Sequence, residues 1–291
     1  MKVLRICVFC ASACWLPLLA AAQSANWVHG LWVWKSDQVL GVPRGAERLR
    51  DFCRGQGINE VYLSYSAGKA AAEEADFQRA IGLLHRAGIR AEALLSSTDA
   101  DEAGKHREAL LDHVKQIVAF NRRHSGAGFD GIHLDIEPQQ RPENKGPGNL
   151  RFVPGLADAF RAVRVIAEPA GMSVNADIQN KLLKGDRDQR RLLLSATPRL
   201  TLMMYELSSP GDGQSPAQKA DKASEASQKF LAMAYDGLSG GNLARLAIAL
   251  RTPDYGELLP RVLNNLDDSD RSNPHYLGWA RHSYNDILEA H

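Results

Sequence analysis

The densest chemistry in the chain lies in one short segment, Phe129-Asp130-Gly131-Ile132-His133-Leu134-Asp135-Ile136-Glu137-Pro138. Aliphatic and polar residues alternate there, as in a strand whose side chains leave on opposite faces in turn. His133, Asp135 and Glu137 therefore share one face, and Ile132, Leu134 and Ile136 share the other. Burying three ionisable groups together is costly unless they are paired or used. Two carboxylates ~7 Å apart along a strand suit general acid/base work, because the one that stays ionised raises the pKa of the other.

The elements that must hold this segment follow a repeating pattern. Short β-rich runs begin near Gly30, Asn59, Arg90, Phe129, Met172, Leu200, Arg245 and Tyr276. Between them apolar residues recur at helical spacing: Phe77, Ile81 and Leu84; Leu110, Val114 and Ile117; Leu156, Phe160 and Val163. Gly57, Gly88, Gly128 and Gly171 each precede a strand, where a helix must end and reverse. Strands alternating with helices imply parallel pairing through right-handed crossovers. Eight such units in 291 residues predict one α/β domain, a single (β/α)8 TIM barrel over 27–291. No glycine-rich phosphate loop follows any strand, which argues against nucleotide binding. In a barrel the carboxylates of 129–138 gather at the C-terminal mouth, where active sites are built.

The segment resembles the fourth strand of glycoside hydrolase family 18, the chitinase and endo-β-N-acetylglucosaminidase group, which reads D-G-x-D-x-D-x-E. Asp130, Gly131, Asp135 and Glu137 match, and His133 stands where the family has its middle acid. Met203-Met204-Tyr205-Glu206 is similar to the family's M-x-Y-D on the sixth strand, and Trp279 to its tryptophan under the sugar. The resemblance implies that Glu137 is the general acid/base. It implies that Asp135 orients the substrate's own 2-acetamido group as nucleophile, and that Tyr205 hydrogen-bonds the acetamido carbonyl. Such substrate-assisted chemistry departs from the usual two-carboxylate scheme. A conventional pair of Glu137 with Glu206 or Asp177 stays open, as does a catalytically silent barrel that binds carbohydrate or cell wall.

Other residues carry two readings. Asp177, at the end of the fifth strand, contacts substrate or caps a loop. Trp34 stacks on a sugar or packs inside. His282 meets substrate or closes the barrel mouth, and His133 binds substrate or orients the acids. Glu92 is expected to pair with an interior arginine such as Arg245 or Arg251. The loops 139–149 and 208–224 follow strand C-terminal ends, and the run Asp267-Asp268-Ser269-Asp270 reads as a solvated turn on the opposite face. Without HExxH or His-x-His spacing, His133, Asp135, Glu137 and His282 are not expected to hold a metal, and no cofactor is expected.

Composition narrows the class. Apolar residues at 44% and charged residues at 24% are globular values. Residues 1–22 place Lys2 and Arg5 before an apolar run ending in Ala20-Ala21-Ala22, the layout of a secretory signal. An exported, periplasmic or secreted, monomeric protein is expected, with no membrane association after cleavage. The net charge of +1 gives no electrostatic case for nucleic acid and fits a glycan or cell-wall polysaccharide partner. Cys53 would be the one cysteine left after cleavage, and it reads as a packed thiol.

Overall fold

The computed structural model describes residues 27–66, 71–146, 149–205, 215–238 and 244–289. The leader-like segment 1–22 and Glu206 lie outside them. Eight strands run in chain order: β1 Val28–Val33, β2 Glu60–Ser64, β3 Arg90–Ser97, β4 Gly131–Ile136, β5 Ser173–Gln179, β6 Arg199–Met203, β7 Arg245–Arg251 and β8 Tyr276–His282. Each pairs in parallel with its neighbour, and β8 closes on β1, so the sheet is a barrel without free edges. Helices cover its outside, among them Ala71–Arg86, Lys105–Arg123 and Val153–Ala167.

Strand alternation divides the core into two layers. The outward residues, such as Ile132, Leu134 and Ile136 on β4 or Val174, Ala176 and Ile178 on β5, pack against the helical stripes. Phe77, Ile81, Leu110, Val114, Leu156 and Phe160 complete that layer and are buried. The inward residues include Trp32, Tyr62, Leu94, Met203, Ala249 and Ala280. Glycine works at specific points. Gly57, Gly88 and Gly171 take left-handed φ values of 65°, 74° and 77°, reversing the chain ahead of β2, β3 and β5. Ahead of β4, Gly126 does this at φ 84° in place of Gly128. Gly131 serves packing instead, since a Cβ there would approach Glu92 Oε1 to 2.9 Å.

Below the mouth lies a charged layer. Arg199 bridges Glu60 Oε1 at 2.6 Å and Glu92 Oε1 at 2.8 Å. Arg90 donates to Glu60 Oε2 at 3.1 Å. Glu92 therefore pairs with Arg199 rather than with Arg245 or Arg251. Arg245 donates to the Tyr276 carbonyl, and Arg251 sits at the other end of β7, 3.7 Å from Asp254. Burial would raise the Glu92 pKa, but Arg199, His133 and Arg90 together hold it down at about 2.

Three other expectations are corrected or refined. The acidic run 267–270 ends a helix, Leu259–Asp270, and Asp267 is buried, accepting from Tyr276 Oη and Trp279 Nε1. Of the segment 208–224, residues from Pro216 onward are helical, in Pro216–Leu238. Cys53 is fully buried, and burial pushes its thiol up to about 12, which makes it a packing group. Because removing one partner strands buried charge, Arg199→Met should destabilise the fold by ~3–5 kcal/mol in urea unfolding. An unchanged midpoint would show that the layer carries no stability.

Candidate active site

Glu137 stands one residue past β4, and its backbone N–H donates to the Ser97 carbonyl at 2.8 Å. Its carboxylate is cradled by amides. Gln179 Nε2 and Gln139 Nε2 donate to Oε1 at 2.7 and 3.0 Å, and Gln140 donates to Oε2. Burial raises its pKa, opposed by Gln179 and Gln139 and reinforced by Asp177. The result is a carboxyl group able to carry a proton above the ordinary range.

Asp135 lies two residues deeper and is buried, 7% exposed. Strand register places Leu134 opposite Ala176, so Asp135 and Asp177 follow as inward neighbours on adjacent strands, with Cα atoms ~4.8 Å apart. Neither Asp135 Oδ1 nor Asp177 Oδ2 has a hydrogen bond of good geometry. Burial, then Asp177 and Glu137, drive the Asp135 pKa well above its usual value. Burial also raises Asp177, though less freely because His133 and Trp32 oppose the rise. Of the two aspartates, Asp135 is the one that keeps a proton.

His133 completes the arrangement from below. Its Nε2 lies 2.8 Å from Asp177 Oδ1 and its Nδ1 3.3 Å from Glu92 Oε2. The ring stacks on Tyr62 with centroids 3.7 Å apart and meets the Trp32 ring edge-on at 5.4 Å. Burial would neutralise the imidazole, but Asp177 and Glu92 raise its pKa to about 9. His133 is thus a buried cation that orients Asp177. It is fully buried, which places it beneath the site and removes it from direct contact with substrate.

At the mouth, Trp34 Nε1 donates to His282 Nε2 at 2.7 Å, and Tyr205 packs on the His282 ring at 5.3 Å. Burial, then Asp177, Asp135 and Glu137, push the Tyr205 hydroxyl well up, so it stays a hydrogen-bond donor. Seven residues named from sequence therefore gather in one region: Glu137, Asp135, Tyr205, His133, Asp177, Trp34 and His282. Trp279 is elsewhere. Its ring stacks on His29 at 4.1 Å and donates to Asp267, on the outer face of β8. Alternation from the inward Ala280 puts 282, not 279, at the mouth.

Two hollows flank the carboxylates. One, of about 360 Å³, is lined by Trp34, Ser64, Ser66, Ser96, Ser97 and His106, with Ser96 in register with Asp135. The other, of about 600 Å³, begins at Gln139, Gln140 and Gln179. Sequence reading overlooked these glutamines, although Gln179 shares the strand face of Asp177. Among the described residues no group of three or more His, Cys, Asp and Glu is arranged to hold a metal ion.

No family model matches the chain, and no curated protein matches it in sequence. Solved structures match its fold. A glycoside hydrolase family 18 chitinase from Pseudoalteromonas aurantia is 11% identical with TM-score 0.55, covering 89% of this chain and 94% of its own. The PgaB (BpsB) glycoside hydrolase domain from Bordetella bronchiseptica is 14% identical with TM-score 0.53, covering 91% and 95%. A glycoside hydrolase family 5 mannosidase from Rhizomucor miehei is 12% identical with TM-score 0.62, covering 89% and 81%. The chain shares the barrel of several glycoside hydrolases, family 18 being one of them.

The buried imidazolium has a measurable consequence. A histidine raised from ~6.5 to about 9 stabilises the fold fully below the lower value and loses that contribution as pH rises through the higher one. Unfolding free energy should fall by on the order of 3 kcal/mol between pH 6.5 and 10. His133→Gln should flatten that slope, and a flat wild-type profile would contradict a buried cation.

Proposed function

We propose that the protein is an exported glycosidase cleaving a β-linked, N-acetylated glycan, with Glu137 as acid/base and the substrate's acetamido group as nucleophile. The observation that carries this reading is the amide cradle on the Glu137 carboxylate with Asp135 buried two residues deeper on the same strand face, where burial raises both carboxyl groups. Tyr205 beside His282 supplies the donor expected for the acetamido carbonyl. The fold likeness to glycoside hydrolases supports the class of reaction, and the leader-like residues 1–22 support export.

The chemistry follows from where protons rest. Glu137 gives its proton to the glycosidic oxygen as the C1–O bond breaks, while the acetamido oxygen attacks C1 and positive charge grows on the N–H. Asp135 accepts a hydrogen bond from that N–H, its own proton moving toward Asp177. Glu137, now ionised, takes a proton from water as the water attacks C1, and the acetamido group is released. Such proton transfer contributes ~10²–10⁴-fold.

Glu137→Gln should lower turnover of chito-oligosaccharides by about 10²–10⁴-fold with an unchanged circular dichroism spectrum. Because the acid works protonated, wild-type activity should decline as pH rises through a value above the ordinary glutamate range. Undiminished hydrolysis by Glu137→Gln would refute the assignment. Binding without turnover on every glycan offered would favour a carbohydrate-binding barrel instead.

A further inference from the structure

The amides that hold Glu137 open onto a second chemistry. The hollow of about 600 Å³ that they border lies between the loops after β4 and β5, and its size is that of a ligand pocket. Its floor is apolar, from Leu150, Phe152 and Leu182, and Asn144 and Asn149 add amides suited to sugar hydroxyls. Around it stand Lys145, Lys181 and Lys184, all exposed. No Asp or Glu is among its described lining residues, and none of the three lysines is paired with a carboxylate among them. The Lys184 ammonium lies 6.0 Å from the Phe230 ring centroid. Among acids near it in sequence, Glu143 converges with Asp99, Asp101 and Glu102 on Arg141 at 3.3, 3.7, 2.9 and 2.9 Å, Asp186 accepts from the Gln189 backbone N–H at 2.8 Å, and Asp188 is exposed.

The hollow on the other side of the carboxylates has a different character. Serine hydroxyls, two histidines (His106 and His113) and the Trp34 ring line it, without lysine or arginine among its described lining residues. Charge therefore changes across the Asp135–Glu137 pair, from neutral on one side to cationic on the other. Exposed ammonium groups around a partly apolar cleft, without a carboxylate partner among the described residues, favour anions there over neutral occupants.

We propose that the lysine-rimmed hollow is a subsite for a carboxylated sugar unit. The substrate is then a β-linked glycan in which a carboxylate-bearing residue neighbours the N-acetylated one. This inference rests on the glycosidase reading and names its substrate class. Ammonium groups spread around a hollow, with no arginine fork among them, suit a sugar carboxylate approached from several sides rather than a clamped phosphate. Two sources share this chemistry: a uronic acid, with the carboxylate on the ring, and a muramic-type sugar, with it on a lactyl ether.

The test compares three oligosaccharides of matched length: a hyaluronan fragment, a peptide-free cell-wall glycan strand and neutral chitohexaose. Hydrolysis is followed with the wild-type chain, a Lys145→Gln/Lys181→Gln/Lys184→Gln variant and the corresponding triple arginine variant. The wild type should favour at least one carboxylated oligosaccharide over chitohexaose by about tenfold in KM, the effect of two or three exposed charge pairs. The glutamine variant and 0.5 M salt should both erase that ratio, and the arginine variant should keep it. Which carboxylated probe is preferred distinguishes the two sources. Equal KM values for charged and neutral probes, or a ratio that survives the glutamine variant, overturns the subsite while leaving the glycosidase standing. No turnover of any probe by the wild type overturns the glycosidase reading and this one with it.

Discussion

The whole site depends on a buried imidazolium held between two carboxylates. His133 lies between Glu92 and Asp177, and without its charge Asp177 would lose the cation hydrogen-bonded to it while Glu92 kept Arg199 and Arg90. Glu60, Glu92 and Asp177 supply three negative charges in this region, and Arg199, Arg90 and His133 supply three positive ones. At Asp135 the charge of His133 opposes, without cancelling, the rise from burial, Asp177 and Glu137. A neutral Asp135 is therefore a consequence of the charge count around it as much as of its own burial. Glu137, above it, sees a protonated neighbour and stays free to exchange its own proton.

This arrangement gives a physical meaning to the histidine at 133. An acid there would remove one of the three cations of the cluster and add a further negative charge to it. Histidine adds a cation and holds the Asp177 carboxylate of β5 at 2.8 Å, beside Asp135 on the neighbouring strand. The Tyr62 ring stacked on it and the Trp32 edge exclude water from the pair, which strengthens each interaction in the layer. The stability of the barrel interior and the proton inventory of the site are thus properties of the same few side chains.

Much of this was readable from sequence because strand alternation has a rigid geometric meaning. A period of two along 129–138 puts His133, Asp135 and Glu137 on one face, and glycine ahead of strands marks helix reversals. Periodicity along one strand does not reveal which strands face one another across the axis. Arg199 reaching Glu60 and Glu92 over separations of 139 and 107 residues belongs to the closed barrel alone. Trp279 was misplaced for a related reason: a family likeness suggested its role, while alternation along β8 assigns the mouth to His282. Asp267 seemed solvated as part of an acidic run, yet helix phase turns it toward Tyr276 and Trp279.

The central claim is that Asp135 holds its proton well above the ordinary aspartate range while Glu92 is ionised, and carboxyl ¹³C NMR tests it without any substrate. In the labelled wild-type chain, with Asp135→Asn used to assign the resonance, Asp135 should titrate well above the ordinary aspartate range. Glu92 should remain ionised down to about pH 2. An Asp135 resonance that titrates near the ordinary aspartate value of ~3.9 would contradict the account.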